Sequence, residues 1–346
     1  MIALIASAAR ADTSFTSKIQ VYADSDHTTV VSPVVDVSAD VTPNTTVTAG
    51  YLADAVTSAS IDVVSQASQT TIHDLRHQVS VGASHVFGSL TARAGYTFST
   101  ENDYLSHSIS AGIAQDLDDK NTTLSLGYAL SLNTVGRSHD ETFSRSLDVH
   151  SLSASWTQVF STRTIGQLTY ELGYADGYQA SPYRFVPVRM TVDSAPLYWI
   201  AETDPLTRWR HAVVVGVNHA VGADAAVGLD YRLYHDTWGI TSHTVDARYS
   251  VNLSKRLELR LRERLYTQGA ASFYQANYSA PQKYMAFDRE LSPLQSTTTG
   301  AKLSYLFTPH LEGELKLDLF YYRYSDFPPL SHRVGANTGI GLSITY

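Results

Sequence analysis

The sequence predicts an all-β protein: a transmembrane antiparallel β-barrel of about 16 strands, with short turns at one end and longer loops at the other. Three observations predict it. Apolar residues recur at every second position through almost the whole chain, the alternating segments are paired through turn-forming residues, and Tyr is abundant, at 22 of 346 residues. Alternation with period two gives each strand one apolar and one polar face, as a wall between lipid and a polar lumen requires. Tight turns make neighbouring strands antiparallel hairpins, and closing a sheet of hairpins removes its unpaired edges. Tyr rings anchor at membrane-water interfaces.

The elements follow in order. After a first strand over Phe15 to Ala23, Val35, Val37, Ala39 and Val41 alternate with polar residues, and Thr42-Pro43-Asn44 turns the chain into Val47, Ala49, Tyr51 and Ala53. Pro and Asn sit where a tight turn wants a fixed φ and a tolerant backbone. Val79 to Ala83 runs through Phe87-Gly88-Ser89 into Ala92 to Phe98, and Ile109 to Ile113 runs through Asp118 to Asn121 into Leu124 to Leu130. Leu152 to Trp156 turns at Ser161 to Arg163 into Leu168 to Tyr174, and Val213 to Val217 turns at Gly222 to Asp224 into Val227 to Leu233. Val245 to Val251 turns at Ser254 to Arg256 into Leu257 to Leu261, and Leu303 to Phe307 turns at Thr308 to His310 into Leu315 to Tyr321. With Val334 to Tyr346 as the last strand the total is about 16, an even number that puts both ends of the sheet on the short-turn side. Roughly 21 residues per strand and connection suits tilted strands of about 9 to 11 residues.

Composition removes several alternatives. No apolar run approaches the roughly 20 residues of a membrane-spanning helix, and the mean hydropathy is slightly negative, as expected where half of each strand faces a polar lumen. The absence of Cys excludes disulfides, thiol catalysis and thiolate metal sites, and excludes a c-type haem. A net charge of -8 without a basic surface run argues against nucleic acid. A soluble sandwich would alternate too, but the regular hairpin repeat and the aromatic residues near strand ends favour the barrel. Residues 1–11 read as a partial signal peptide, with a mostly apolar Met1 to Ala8 and a small-x-small Ala9-Arg10-Ala11 but no basic n-region; residues 12–346 then form a single barrel domain.

The chain ends Ile340-Gly-Leu342-Ser-Ile344-Thr-Tyr346. A terminal aromatic residue on an alternating strand resembles the signal by which the outer-membrane assembly machinery of Gram-negative bacteria recognises its substrates, with Leu342, Ile344 and Tyr346 as the assembly signal. The segments Gly50 to Ser60, Thr100 to Ser106, Arg208 to Ala212, Tyr231 to Thr244 and Leu265 to Tyr274, with the end of the chain, resemble an outer-membrane barrel family catalogued as a domain of unknown function, family 3570. That resemblance spans nearly all of residues 12–346 and implies a bacterial outer-membrane location and a barrel fold. It also implies a family tendency to be encoded near periplasmic flavin-attachment and redox genes.

With apolar positions taken as outward, the inward face carries the candidate functional residues. Arg208, Arg210, Arg232, Arg248, Arg260, Arg262 and Arg264 form a basic wall, against Asp230, Asp246 and Glu258. Earlier strands bring inward Asp36, Asp40, Asp54 and Glu171 with few cations beyond Lys18 and Arg93, a mildly acidic wall. Opposed walls set a field across a lumen that 16 strands make too wide for side chains alone to fill. Pairing of these charges between neighbouring strands is the competing expectation. Glu263 breaks parity, for which a bulge is the ordinary reason.

Long connections commonly carry function. The stretches from about Gly177 to Leu206 and Gln268 to Gln295 hold Tyr178, Tyr183, Phe185, Pro187, Trp199, Phe273, Tyr274, Tyr278, Tyr284 and Phe287, and are expected either to fold into the mouth or to pack on one another. Val56 to Leu75 is a third, Ser- and Thr-rich connection without a chemical signature. His73-Asp74, His139-Asp140 and His235-Asp236 are poor catalytic dyads, because adjacent residues on an extended chain point oppositely. No Gly-x-Ser-x-Gly elbow occurs, so no enzyme is expected. Outward His85, His107, His150, His211, His219 and His243 near strand ends read as interfacial anchors rather than metal ligands, and no cofactor is expected.

Two functions fit: a porin-like channel for small solutes or secreted material, or a barrel scaffold sheathing a periplasmic or extracellular redox partner, with flavin-linked electron transfer, or an export partner. The expected partners are outer-membrane lipid, the barrel assembly machinery and a periplasmic or lipoprotein partner.

Overall fold

The computed structural model describes residues 13–58 and 72–346. The signal-peptide reading, residues 1–11, lies outside the described residues, as does the middle of the Val56 to Leu75 connection. Among the described residues eighteen strands follow one another: β1 Thr13–Asp24, β2 Thr28–Thr42, β3 Thr45–Ser58, β4 Ile72–Phe87, β5 Leu90–Thr100, β6 Tyr104–Leu117, β7 Thr122–Val135, β8 Arg145–Ser161, β9 Thr164–Gly177, β10 Phe185–Val188, β11 Tyr198–Ala201, β12 Thr207–Val221, β13 Ala225–Asp236, β14 Thr241–Ser254, β15 Leu257–Gln268, β16 Leu294–Thr308, β17 Leu311–Tyr324 and β18 His332–Thr345. All but β10 and β11 form one closed barrel of 16 antiparallel strands, each bonded to its chain neighbours, with β9 beside β12 and β1 beside β18. The small β10–β11 sheet is a hairpin inside the long β9–β12 loop.

The alternation read from the sequence sets which face is which. Outward apolar residues such as Ile109, Leu315 and Ile340 stay 55, 55 and 56% exposed, which a soluble sandwich with one buried face would not allow. Closure is made by β18 on β1, from Phe15 opposite Ile344 to Ala23 opposite Ala336, and the Tyr346 N–H donates to the Thr13 carbonyl at 2.9 Å. The β6–β7 turn holds Asp118, Asp119 and Lys120 at φ 51, 50 and 69°, and bulges lie beside four of the short turns, at Asp40/Thr42, Val159/Ser161, Asn252/Ser254 and Leu306/Thr308. None lies at Glu263, so the bulge expectation fails: Glu263 keeps strict register opposite Ala247 and Thr299. Its carboxylate instead accepts hydrogen bonds from the Thr297 and Thr299 hydroxyls at 2.7 and 2.6 Å. Two donors in place on the neighbouring strand remove the need for a register shift.

A ring of Tyr–His pairs runs around the outer wall toward the loop end. Tyr51–His77, Tyr96–His107, Tyr128–His150, Tyr170–His211 and Tyr231–His243 share a hydroxyl–Nδ1 hydrogen bond of 2.7 to 2.8 Å, and Tyr321 stacks on His332 at 6.1 Å. Each pair is a cross-strand diagonal, the reach at which long rings meet. Strands β1, β2, β15 and β16 take part in no such pair.

The hydrophobic core lies at the loop end, not in the barrel. Val186 and Val188 of β10 pack with Trp238, Tyr278, Met285 and Phe287, all nearly or fully buried, and with Phe327 of the β17–β18 loop. Apolar burial is the main force that orders such long connections.

Candidate lumenal site and its loop cap

The inward wall divides by side-chain size. On β4 to β8 the inward positions are mostly small, among them Gly82, Gly95, Ser110, Gly112, Gly127 and Ser153, so the lumen stays wide there. On β12 to β17 long charged side chains fill the opposite half, and most are paired. Arg248 lies 2.5 Å from Asp230, Arg262 2.5 Å from Asp246, Arg260 3.2 Å from Glu258, and Arg232 3.0 Å from Glu171. Arg208 makes a two-nitrogen contact to one oxygen of Asp236 and stacks on Trp238 at 4.1 Å. A Cβ at Gly228 would lie 3.2 Å from the Arg248 Nε, so glycine leaves the guanidinium room to lie flat on the wall. Of the seven arginines read as a basic wall, Arg208, Arg232, Arg248, Arg260 and Arg262 are neutralised. Arg210 and Arg264 have no ion-pair or hydrogen-bond partner among the described residues.

The acidic side is similarly occupied. Asp54 is 2.6 Å from Arg76, and Asp40 accepts from the Thr46 hydroxyl at 2.6 Å. Asp36 leans over Gly50, where a Cβ would come within 2.6 Å of its Oδ1. Lys18 reaches Glu314 at 2.8 Å across β1, β18 and β17. The transverse field expected from two unpaired walls is therefore reduced to local sites, because carboxylates two or three residues away in register complete most pairs.

Two long loops roof this lumen. Chain departure from the wall is set at Gly177, where φ is +127° and a Cβ would lie 2.2 Å from the Ser146 carbonyl oxygen. Only glycine adopts that conformation there without strain. Arg184 bridges the loops, 2.8 Å from Asp288 and 3.2 Å from Glu202, while the Glu202 carboxylate accepts from the Phe287 N–H at 2.8 Å. Arg289 pairs with Asp26 of the β1–β2 turn, and the Tyr183 hydroxyl donates to Asp103 of the β5–β6 turn. The cap is thus tied to the rim on several sides. The aromatic residues pack the loops on one another, and Asp204, Asp288 and Leu291 also face the lumen.

Burial dominates the acid–base character of the cap. Glu202 is raised above the ordinary carboxylate range by desolvation, opposed by Arg184. Asp204 is pushed up to about 8, first by desolvation and then by Glu202 and Asp288, and its Oδ1 has no hydrogen-bond partner. At the rim Asp74, Glu101 and Asp103 each offer an oxygen within 4.8 Å of the others, and they are tied to Asn102, Arg76 and Tyr183.

Two stacked cavities lie on the inner wall beneath the cap. The lower, of about 560 Å³, is lined by the small-residue wall together with Arg93, Glu171, Arg210 and Arg232. The upper, of about 390 Å³, lies beneath the cap and is lined by Arg208, Tyr234, Tyr266, Asp204 and Glu290. Val149, Arg210, Arg232 and Tyr234 line both, so Arg210 stands where the two meet. Parity in the sequence locates the arginines; the clamp residues Arg184, Glu202, Asp204, Asp288 and Arg289 lie in non-periodic loops and give no such signal.

Of the adjacent His and Asp residues, His235 and Asp236 point apart. Asp236 caps the β13–β14 turn, accepting from the Trp238 and Ile240 N–H groups at 3.0 Å each, while His235 contacts Thr241 on the outer wall. Leu342 and Ile344 lie on the outward row of β18, and Tyr346 follows at the short-turn end, 73% exposed.

A family model described as protein of unknown function (DUF3570) matches residues 62–338. Comparison with curated protein sequences finds no match. Among solved structures, the barrel is similar to one titled "bacterial polysaccharide outer membrane secretin", with a TM-score of 0.57, 10% identity, and coverage of 97% of this chain and 98% of that one. It is also similar to CdiB from Acinetobacter baumannii, with a TM-score of 0.53, 10% identity, and coverage of 96% and 60%. For the siderophore receptor PirA from Pseudomonas aeruginosa the values are 0.50, 12%, 95% and 61%. The chain spans about three fifths of the length of CdiB and PirA. At these identities the similarity shows the fold, that of outer-membrane barrels, and the secretin and receptor titles name no enzyme.

Proposed function

Since the chain belongs to the family described as protein of unknown function (DUF3570), a membership that names no chemistry, we propose from its geometry that it is a capped conduit for polar solutes in the bacterial outer membrane. The observation that carries this reading is the pair of stacked cavities under a folded cap, in a barrel whose small-residue half leaves the lumen unfilled. Barrels of this strand number leave an aqueous channel unless plugged, and a cap built only from connecting loops can move without unfolding the wall. The outward apolar belt and the Tyr–His ring support membrane insertion. Leu342, Ile344 and Tyr346 are the residues offered to the assembly machinery.

The similarity to a structure titled as a polysaccharide secretin supports a saccharide-like solute, which the Ser110, Ser151 and Ser153 hydroxyls of the lower cavity suit. Bilayer conductance of the purified barrel tests the proposal, with and without residues 270–290 replaced by a short Gly-Ser linker. Low conductance that rises on loop removal is the expected result. A barrel that conducts in neither form, and copurifies with a periplasmic redox or lipoprotein partner, would replace the conduit with a sheath.

A further inference from the structure

We infer that the lower lumenal cavity is a binding site for small organic anions, carboxylate or phosphate, with Arg210 as its anchoring free cation and Arg93, five strands away along the same wall, adding only to its net positive charge. Arg93 and Arg210 both line this cavity, and neither has a protein partner among the described residues. Arg232 lines it too, held to Glu171 at 3.0 Å. Three guanidinium groups against one carboxylate leave an excess of two positive charges in a partly enclosed space. Five of the seven arginines on this wall are neutralised; around Arg210 the cross-strand neighbours are Gly173 and Asp236, and Asp236 is already saturated by Arg208, Tyr234 and two backbone N–H groups.

An unpaired guanidinium in a confined lumen is best completed by an anion that takes two parallel hydrogen bonds, as carboxylate and phosphate do. Serine hydroxyls along the same wall, at Ser110, Ser151 and Ser153, supply donors and acceptors for a polar body attached to that anion. Position adds selectivity: at the junction of the cavities Arg210 meets a solute passing either way. The inference deepens the conduit reading and rests on it for its meaning in transport.

Isothermal titration of the full-length barrel in detergent tests it, with D-glucuronate, inorganic phosphate and neutral glucose as probes. Glucuronate bound and phosphate not assigns an acidic sugar; phosphate bound, with or without glucuronate, assigns a general oxyanion site. Both support the inference, with glucose silent. Arg210→Gln is expected to weaken binding by about tenfold or more, the usual loss for a charged hydrogen bond, and Arg93→Gln, five strands away, by clearly less. Arg264→Gln is the control, since Arg264 is equally unpaired but lines neither cavity. Arg210→Lys separates loss of charge from loss of fold and should retain part of the affinity. No anion binding by the wild type, or equal loss in Arg264→Gln, overturns the inference. Titration needs no conduction, so a closed barrel that binds glucuronate would sink the conduit and leave the site standing.

Discussion

Arg184 and Asp288 lie 2.8 Å apart, joining the two long loops that meet over the barrel mouth. The same guanidinium reaches Glu202, so one side chain holds two carboxylates in a largely dry environment. Removing one partner of such a group leaves uncompensated buried charge, at a cost of about 3 to 5 kcal/mol. Arg184→Gln is expected to open the cap while the barrel stays intact. Trypsin should then cleave within residues 178–206 or 269–293 at rates at least tenfold higher, with no change in heat-modifiable gel migration. Unchanged protease resistance would mean that apolar packing alone holds the loops.

Asp204 gives the cap a pH dependence. Its folded pKa, raised to about 8, lies above the unfolded value near 4, so the folded state holds the extra proton between those two values. Cap stability therefore falls as pH rises across that window and is lowest once Asp204 ionises above pH 8. Loop proteolysis should accelerate from pH 6 to pH 9 in the wild type and markedly less in Asp204→Asn, where Glu202 is the raised carboxylate that remains. An undiminished pH profile in Asp204→Asn would place the titration elsewhere.

Glu263 is a carboxylate on the outward face of β15, midway along the strand and held by Thr297 and Thr299. Acidic residues on a lipid-facing wall cost less than cations but still destabilise, on the order of 1 kcal/mol. Glu263→Leu should raise the urea midpoint of the barrel in lipid vesicles. A fall of similar size would show instead that the Thr–Glu–Thr bonds stabilise this part of the sheet.

Tyr346 directly follows β18, with its backbone bonded to Thr13 of β1 and its side chain exposed. Deleting it should lower the amount of folded barrel recovered from outer membranes several-fold, while the barrel refolds normally in detergent. Normal recovery in cells would remove the assembly role.

The barrel is largely legible in the sequence because its rule is local. Parity along fifteen or so residues says which side chains face out, and turn residues say where strands reverse; that β18 closes on β1 follows from the even strand count, while its register, Phe15 opposite Ile344, does not. Pairing within the lumen is not legible, because it depends on the stagger between strands. Arg208 and Arg210 share parity and differ by one step along β12, yet Asp236 serves only the first. The cap is less legible still: Arg184 finds Asp288 across 104 residues of sequence, through loops without periodicity. Glu263 misleads because a parity violation alone does not say whether the backbone shifts or the neighbours supply donors.

The Tyr–His pairs have a mechanical consequence in a bilayer. They run without a break through five successive strand pairs from β3 to β14, then skip β15–β16, recur once at Tyr321–His332 and are missing at β1–β2. Such rings resist vertical displacement, so the barrel is moored firmly along one flank and loosely along the other. In the membrane setting proposed above, the flank without these pairs is the less firmly anchored one, and that flank is where the outward Glu263 lies.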